Sequence, residues 1–309
     1  MSFFPDVVGQ EEIKSKLSFF ITGYKKSRVV PSILLIGPKG CGKTKIATDF
    51  ARNLNKKDSS DPKPLIKING AVLKNSDVFF DNFFIPYVHD KEVTVLIDEC
   101  HEMNIGLVTE LLTLFDTTEN NKTSLSFPDY TAEIDFSVQS FIFATSEPHR
   151  VFKPFQSRLE KIAFEDYTLS EFGQIIKKFV KNCKFNEEVL NEFSSCLRGD
   201  AREAAKAAKL IESYLLVNNR NTFEKSDWDK FRNYLNIRPL GLNSQEIKLL
   251  KLLKDGAMTL TALASSLEMS SSSVRRDLEL MLLKQKLISI REDGRHLTKR
   301  GLEYLAKIP

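Results

Sequence analysis

Apolar residues along this chain gather in three short runs separated by stretches of helical spacing. The runs are Ile33-Leu34-Leu35-Ile36, Val93-Thr94-Val95-Leu96-Ile97 and Ser140-Phe141-Ile142-Phe143-Ala144-Thr145. Each predicts a strand buried on both faces. Polar or glycine-rich residues follow each run: Gly37 to Gly42, Asp98-Glu99, and the residues after Thr145. Strands of this kind, interleaved with helices, form a parallel sheet covered on both sides. Ligands of such α/β sheets bind at the carboxyl ends of the strands, where the glycines and acids lie here.

From Tyr167 to Leu235 the pattern turns helical, with the alanine-rich run from Ala201 to Leu210 predicting a strong helix. Asn236 to Gly241, with Pro239 and Gly241, reads as a hinge. Beyond it three helices are expected, at Ile247–Leu253, from Thr259, and from about Ser272 to Gln285. A hairpin from Leu287 to Leu297, turning at Asp293-Gly294, completes a winged-helix layout. The expected division is an α/β core over 1–166, a helical lid over 167–238 and a winged-helix domain over 239–309.

Composition acts by exclusion. With 309 residues, 42% hydrophobic and 28% charged, the chain is neither a small stapled scaffold nor a disordered tail. No apolar run approaches the ~20 residues of a membrane span, and Met1-Ser2-Phe3-Phe4-Pro5-Asp6 is unlike a signal peptide, so a cytoplasmic protein without a membrane partner is expected. The four cysteines, Cys41, Cys100, Cys183 and Cys196, form no CxxC pair and support neither a disulfide framework nor a zinc ribbon. A net charge of +4, from 45 basic and 41 acidic residues, is too mild to argue by itself for a polyanion.

Gly37-Pro38-Lys39-Gly40-Cys41-Gly42-Lys43-Thr44 fits the GxxxxGKS/T phosphate loop at every specified position, with a strand before it and a helix after. The glycines let backbone N–H groups curl around phosphates, the helix N-terminus adds partial positive charge, and Lys43 faces the β- and γ-oxygens. Thr44 and Asp98 are the expected Mg²⁺ ligands, and Glu99 the residue that polarises the attacking water. ATP and Mg²⁺ are therefore the expected substrate and cofactor. His101 stands close to this chemistry without companions for a zinc site, so a coupling or packing role is expected of it. Trp228 and the many phenylalanines read as core.

Taken together, Asp6-Val7-Val8-Gly9-Gln10, the phosphate loop, Ile97-Asp98-Glu99-Cys100-His101 and Ala144-Thr145-Ser146 resemble an AAA+ ATPase. Within that superfamily Pro154-Phe155-Gln156-Ser157-Arg158, Arg198-Gly199-Asp200-Ala201-Arg202 and the winged-helix end resemble the RuvB family of Holliday-junction branch-migration motors. The resemblance spans nearly the whole chain. It implies an ATPase site shared between subunits of a ring, a hexamer, around duplex or four-way-junction DNA, acting in recombination and repair.

By position, the resemblance implies that Val8 and Gly9 line the adenine pocket, beside a nucleotide cradle running from Gly37 through Lys45. Ser146 would be the first sensor, Arg158 an arginine finger inserted into the neighbour's site, and Arg202 a second sensor on the lid. Read from charge alone, without the resemblance, each arginine is a surface charge or a salt bridge that contributes little. Arg291 and Arg295 match the family's wing arginines; Lys299 and Arg300 extend the basic wing by charge alone, and phosphate contacts without base readout suit a motor. The segment 117–136 stands where the family carries a hairpin for its junction-binding adaptor protein, with Leu125, Phe127 and Tyr130 as contacts. As a bare sequence it reads equally as an exposed loop.

The chain departs from the family at Lys39 and Lys45, where proline and threonine are usual, and near Phe164-Glu165, where a base-touching tyrosine is expected and not found. It thus reads as a diverged member. Two other functions stay open: an AAA+ loader or remodeller in replication or transposition, and an ATP-switched winged-helix regulator.

Overall fold

The structure, a computed structural model, describes residues 3–115, 122–126, 131–181, 183–197, 199–235 and 237–308. Helix α1 (Glu11–Ser27) leads to β1 (Ile33–Ile36), α2 (Lys43–Ala51) and β2 (Leu65–Asn69). Next come α3 (Ser76–Phe79), a π turn (Phe80–Phe84), α4 (Ile85–Tyr87), β3 (Thr94–Asp98) and α5 (Ile105–Leu114). An antiparallel ribbon, β4 (Lys122–Ser126) with β5 (Thr131–Asp135), precedes β6 (Ser140–Thr145), α6 (Lys153–Gln156) and β7 (Glu160–Ala163).

The main sheet is parallel, in the order β2-β3-β6-β1-β7. Period-2 alternation divides its central strands between two cores. Leu34, Val95, Ile97, Phe141 and Phe143 face a cluster with Phe79, Phe80, Phe84, Phe115 and Phe155. Ile33, Leu35, Leu96, Ile142 and Ala144 face one with Ile13, Leu17, Ile21, Ile46 and Phe50 of α1 and α2. Phe115 meets Phe141, Phe143 and Phe155 edge-on, at 5.0, 5.3 and 5.7 Å between ring centroids. The strand order sets the carboxyl ends of β3, β6 and β1 side by side, as the pairs Ile97–Phe143 and Ile36–Thr145 record.

The described chain groups into two compact units, 1–171 and 172–309. The division falls within α7 (Leu169–Phe179). Then follow β8 (Lys184–Phe185), α8 (Glu187–Cys196), α9 (Ala201–Val217), β9 (Thr222–Phe223) and α10 (Lys225–Tyr234). Trp228 is fully buried against Phe193 and Phe231. Asp200 caps α9 by accepting the Arg202 N–H. The pairing of β8 with β9 was not expected, since strands of two residues carry no periodicity.

The remainder comprises α11 (Ser244–Leu252), α12 (Leu260–Leu267), α13 (Ser271–Ser273), a π turn (Val274–Glu279), α14 (Leu280–Lys284), strands β10 (Ile288–Arg291) and β11 (Gly294–Leu297), and α15 (Lys299–Lys307). Helix α15 corrects one expectation: Lys299 and Arg300 open a helix capped by Thr298 and are not on the wing.

The expected hinge contains a short turn. The 3-10 turn Pro239–Gly241 is anchored on two sides: Cys196 Sγ meets the Arg238 carbonyl at 3.7 Å, and the Tyr304 hydroxyl donates to the Pro239 carbonyl at 2.7 Å. Gly241, at φ +65°, packs on the Cys196 carbonyl so closely that no side chain would fit.

Candidate functional site

The phosphate loop leaves the end of β1 and closes on the N-terminus of α2. Gly40 and Gly42 take φ of +81° and +97°, and a Cβ on Gly37 would stand 2.7 Å from the Phe164 Cβ, so glycine is required at these turns. Lys43 is 6% exposed. Its Nζ donates to the carbonyls of Gly37 at 2.7 Å and Pro38 at 2.9 Å. Among the described residues it has no carboxylate partner. A buried ammonium whose hydrogen bonds go only to neutral carbonyls, with the Glu99 carboxylate as a charged neighbour, is suited to receive an anion in the cradle. Pro38 and Lys39 are exposed on the loop, and Cys41 is buried. Lys45 departs from the expected cradle, because its ammonium is engaged by Asp49 at 3.1 Å and Asp6 at 3.4 Å.

At the neighbouring strand end, Thr44 Oγ1 donates to Asp98 Oδ2 at 3.0 Å. The hydroxyl and carboxylate are hard oxygen donors, the kind Mg²⁺ takes beside phosphate oxygens and water. No group of three or more His, Cys, Asp or Glu side chains placed for a metal occurs among the described residues. Glu99 follows in the left-handed region at φ +49°, its N–H held by Asp98 Oδ1 at 3.0 Å. A non-glycine residue in that conformation is strained, as residues at functional sites often are. From the end of β6, Ser146 gives Glu99 Oε2 both its N–H, at 3.2 Å, and its hydroxyl, at 2.9 Å. Burial pushes the Glu99 acid up, but the Ser146 bonds and the Lys43 charge outweigh it and hold the carboxyl below its ordinary range.

Val8 is buried, and Gly9, at φ +62°, lies against the Glu171 carboxylate. Gln10 pins this segment by exchanging hydrogen bonds with the Glu165 backbone at 2.8 and 3.2 Å. Sequence reasoning missed Tyr167, whose hydroxyl donates to the Cys41 carbonyl at 2.9 Å inside the phosphate loop. Burial pushes that phenol up to about 12. The tyrosine expected near Phe164-Glu165 has no match at those two positions, and Tyr167 stands just beyond them, ahead of α7.

Arg158 follows α6, half-buried, with its guanidinium donating to the Pro154 carbonyl at 3.0 Å. Arg202 is exposed in the first turn of α9. In the winged helix Arg291, Lys299 and Arg300 are exposed, as are Arg275 and Arg276. Arg295 is not available as a phosphate contact. Its Nε and Nη2 bond both oxygens of the buried Glu279, at 2.6 and 3.3 Å. The segment 117–136 contains the β4–β5 hairpin, tied by Lys122 to Glu133 and Asp135 at 3.2 and 3.3 Å. Phe127, Tyr130 and the side chain of Leu125 lie outside the described residues. No helix among the described residues is long and apolar enough to cross a membrane.

Two family models match the chain: the ATPase family associated with various cellular activities (AAA) over residues 33–167, and the RuvB C-terminal winged helix domain over residues 239–306. The chain is 27% identical to the Holliday junction branch migration complex subunit RuvB of Mycoplasmopsis synoviae, over 98% of this chain and 96% of that protein. It is 26% identical to the subunit of the same name from Campylobacter hominis, over 98% and 88%. Among solved structures, the Thermotoga maritima RuvB Holliday junction branch migration motor superposes with a TM-score of 0.76, at 23% identity over the full length of both chains, which shows a common fold.

Proposed function

We propose that the chain is a RuvB-like AAA+ ATPase and works as a cytoplasmic, ATP-driven ring motor, hexameric, that branch-migrates four-way DNA junctions in recombination and repair. One juxtaposition carries this reading: the Thr44–Asp98 and Glu99–Ser146 hydrogen bonds unite a phosphate loop, an acidic strand end and a polar strand end in a chain that also bears a RuvB-type winged helix.

The loop N–H groups and Lys43 would bind the β- and γ-phosphates of ATP. Val8 and Gly9 would flank the base, with Tyr167 bracing the loop through Cys41. Thr44 and Asp98 would hold Mg²⁺, which when bound neutralises phosphate charge. Glu99 would take the proton of the water that attacks the γ-phosphorus, as the bond to the ADP oxygen breaks and ADP and phosphate leave. Ser146 fixes the orientation of that carboxylate. Arg158 of a neighbouring copy would neutralise the developing charge, a contribution worth roughly 10³–10⁵ in rate. Arg202 would report nucleotide state to the lid. Arg291, Lys299 and Arg300 would contact DNA phosphates without reading sequence, and the β4–β5 hairpin would receive a junction-binding adaptor.

The test is ATP turnover by wild type, Glu99→Gln and Arg158→Ala, with and without duplex and four-way DNA. Both substitutions should abolish turnover, and Glu99→Gln alone should keep ATP bound and the ring assembled. Mixing the two variants should restore part of the activity, since one seam in the mixed ring has both intact residues. Full-rate hydrolysis by a strict monomer refutes the shared site. Rapid turnover that moves no junction arm favours a loader.

A further inference from the structure

His101 has no part in the hydrolysis scheme above, yet it is only 8% exposed and both of its ring nitrogens face polar partners. It lies on the 3-10 turn Cys100–Glu102. Nδ1 is 2.9 Å from Thr145 Oγ1 and 3.5 Å from Glu99 Oε2. Nε2 is 3.3 Å from Glu102 Oε1 and 3.7 Å from Glu147 Oε1. Thr145 is fully buried, and its Oγ1 also receives the Glu147 N–H at 3.0 Å.

One imidazole therefore bridges the ends of β3 and β6, beside the bond that joins Glu99 to Ser146. On its outer side, Arg150 binds Glu102 at 2.7 Å and Glu147 at 3.5 Å, forming an ion cluster in contact with solvent. Filling space would need only an apolar side chain. A buried ring with four polar neighbours on two strand ends is instead a connected network, in which moving one member reorients the others. The Nε2–H tautomer, which directs its proton at two carboxylates, leaves Nδ1 to accept from the Thr145 hydroxyl.

We propose that His101 is a positioning residue for Glu99, and that the Glu102–Arg150–Glu147 cluster sets where the imidazole stands. The exposed cluster is then felt at the catalytic carboxylate through His101 and Thr145. The inference rests on the reading of Glu99 as the hydrolytic carboxylate, and Glu99→Gln tests that reading separately.

The experiment compares His101→Leu, which keeps volume, His101→Asn, which keeps a polar group near Thr145, Arg150→Ala, and the Arg150→Ala/His101→Leu double variant, all in the full-length protein. Readouts are kcat, KM for ATP, affinity for a fluorescent non-hydrolysable ATP analogue, and melting temperature. His101→Leu should lower kcat about tenfold or more, with KM and analogue affinity within about twofold of wild type. His101→Asn should recover part of kcat. Arg150→Ala should lower kcat several-fold alone and add nothing to His101→Leu. Unchanged kcat in His101→Leu, loss of analogue affinity in step with kcat, or additive effects in the double variant would each overturn the proposal. If His101→Leu fails to fold, undiminished kcat in both His101→Asn and Arg150→Ala overturns it. Turnover by Glu99→Gln at the wild-type rate defeats the reading of Glu99 instead.

Discussion

Arg295 on the wing grips Glu279 on the preceding helical turn through two hydrogen bonds, 2.6 and 3.3 Å long, with the Glu279 side chain 1% exposed. The pair fastens β11 to the helix ahead of the hairpin, so its removal is a matter of folding before it is one of DNA. Deleting one member strands a buried charge, which costs about 3–5 kcal/mol. Arg295→Ala should lower the melting temperature sharply. Arg291→Ala, at an exposed position, should change stability by no more than about 0.5 kcal/mol while reducing the salt slope of DNA binding by about 1. Thermal unfolding and DNA titrations at several salt concentrations read both. An Arg295→Ala protein as stable as wild type would restore this residue to the surface.

Gly70 offers a steric test of Glu99. A Cβ there would lie 2.6 Å from the Glu99 carbonyl oxygen and 3.1 Å from the Cys100 Cα, both backbone atoms that cannot swing aside. Gly70→Ala should therefore push the strained Glu99 backbone out of place, cutting kcat by about tenfold or more with nucleotide affinity largely kept. Steady-state kinetics beside analogue binding separates the two effects. Equal kcat in both proteins would mean that the Glu99 backbone is not fixed as tightly as the geometry requires.

The legible parts of this fold were those whose signal is local. Strands β1, β3 and β6 are apolar on both faces, and the expected bounds of β6, Ser140–Thr145, are the observed ones. The phosphate loop and the acids were legible because their spacing is set by contact with one small ligand. The edge strands β2 and β7 are mixed in polarity, as Leu65-Ile66-Lys67-Ile68-Asn69 shows, and carry a weaker pattern. Arg295 read as a free wing charge because its partner lies 16 residues away, across a turn that no periodicity announces. The anchoring of Pro239–Gly241 depends on Cys196 and Tyr304, which are distant in sequence, so Pro and Gly read there as a hinge. Tyr167 reaches Cys41 across 126 positions.

Lys63 is a buried lysine away from the carboxyl-end site. It is 2% exposed, with Nζ 3.3 Å from the Ser137 carbonyl, 3.4 Å from Ser140 Oγ and 5.0 Å from the centre of the Tyr24 ring. Burial pushes its pKa down, against the opposing pull of Glu92, to about 8 from an ordinary 10.5. Between those values the unfolded chain binds a proton that the folded one does not, so stability from this group rises with pH across the window. The stability of wild type relative to Lys63→Met should climb by about 3 kcal/mol between pH 7.5 and 10.5. Denaturant titrations of both proteins at several pH values measure it, and parallel pH curves would show that Lys63 is not desolvated.

Gly241 decides whether the link between the lid helices and the winged helix bends. Its φ of +65° disfavours any L side chain, and a Cβ would fall onto the Cys196 carbonyl at the end of α8. Replacement by alanine therefore combines backbone strain of about 1 kcal/mol with a clash against main chain that can move only by shifting α8 or the turn. Gly241→Ala should destabilise residues 172–309 by several kcal/mol while leaving residues 1–171 intact, and hydrogen exchange should open first at Cys196 and the Pro239–Gly241 turn. In the motor reading, DNA should then stimulate ATP turnover less, because the winged helix has lost its fixed bearing on the lid helices. Gly241→Asn, which tolerates the left-handed region but not the contact, isolates the clash from the strain. If both variants melt like wild type and keep full DNA stimulation, the link is a flexible joint after all.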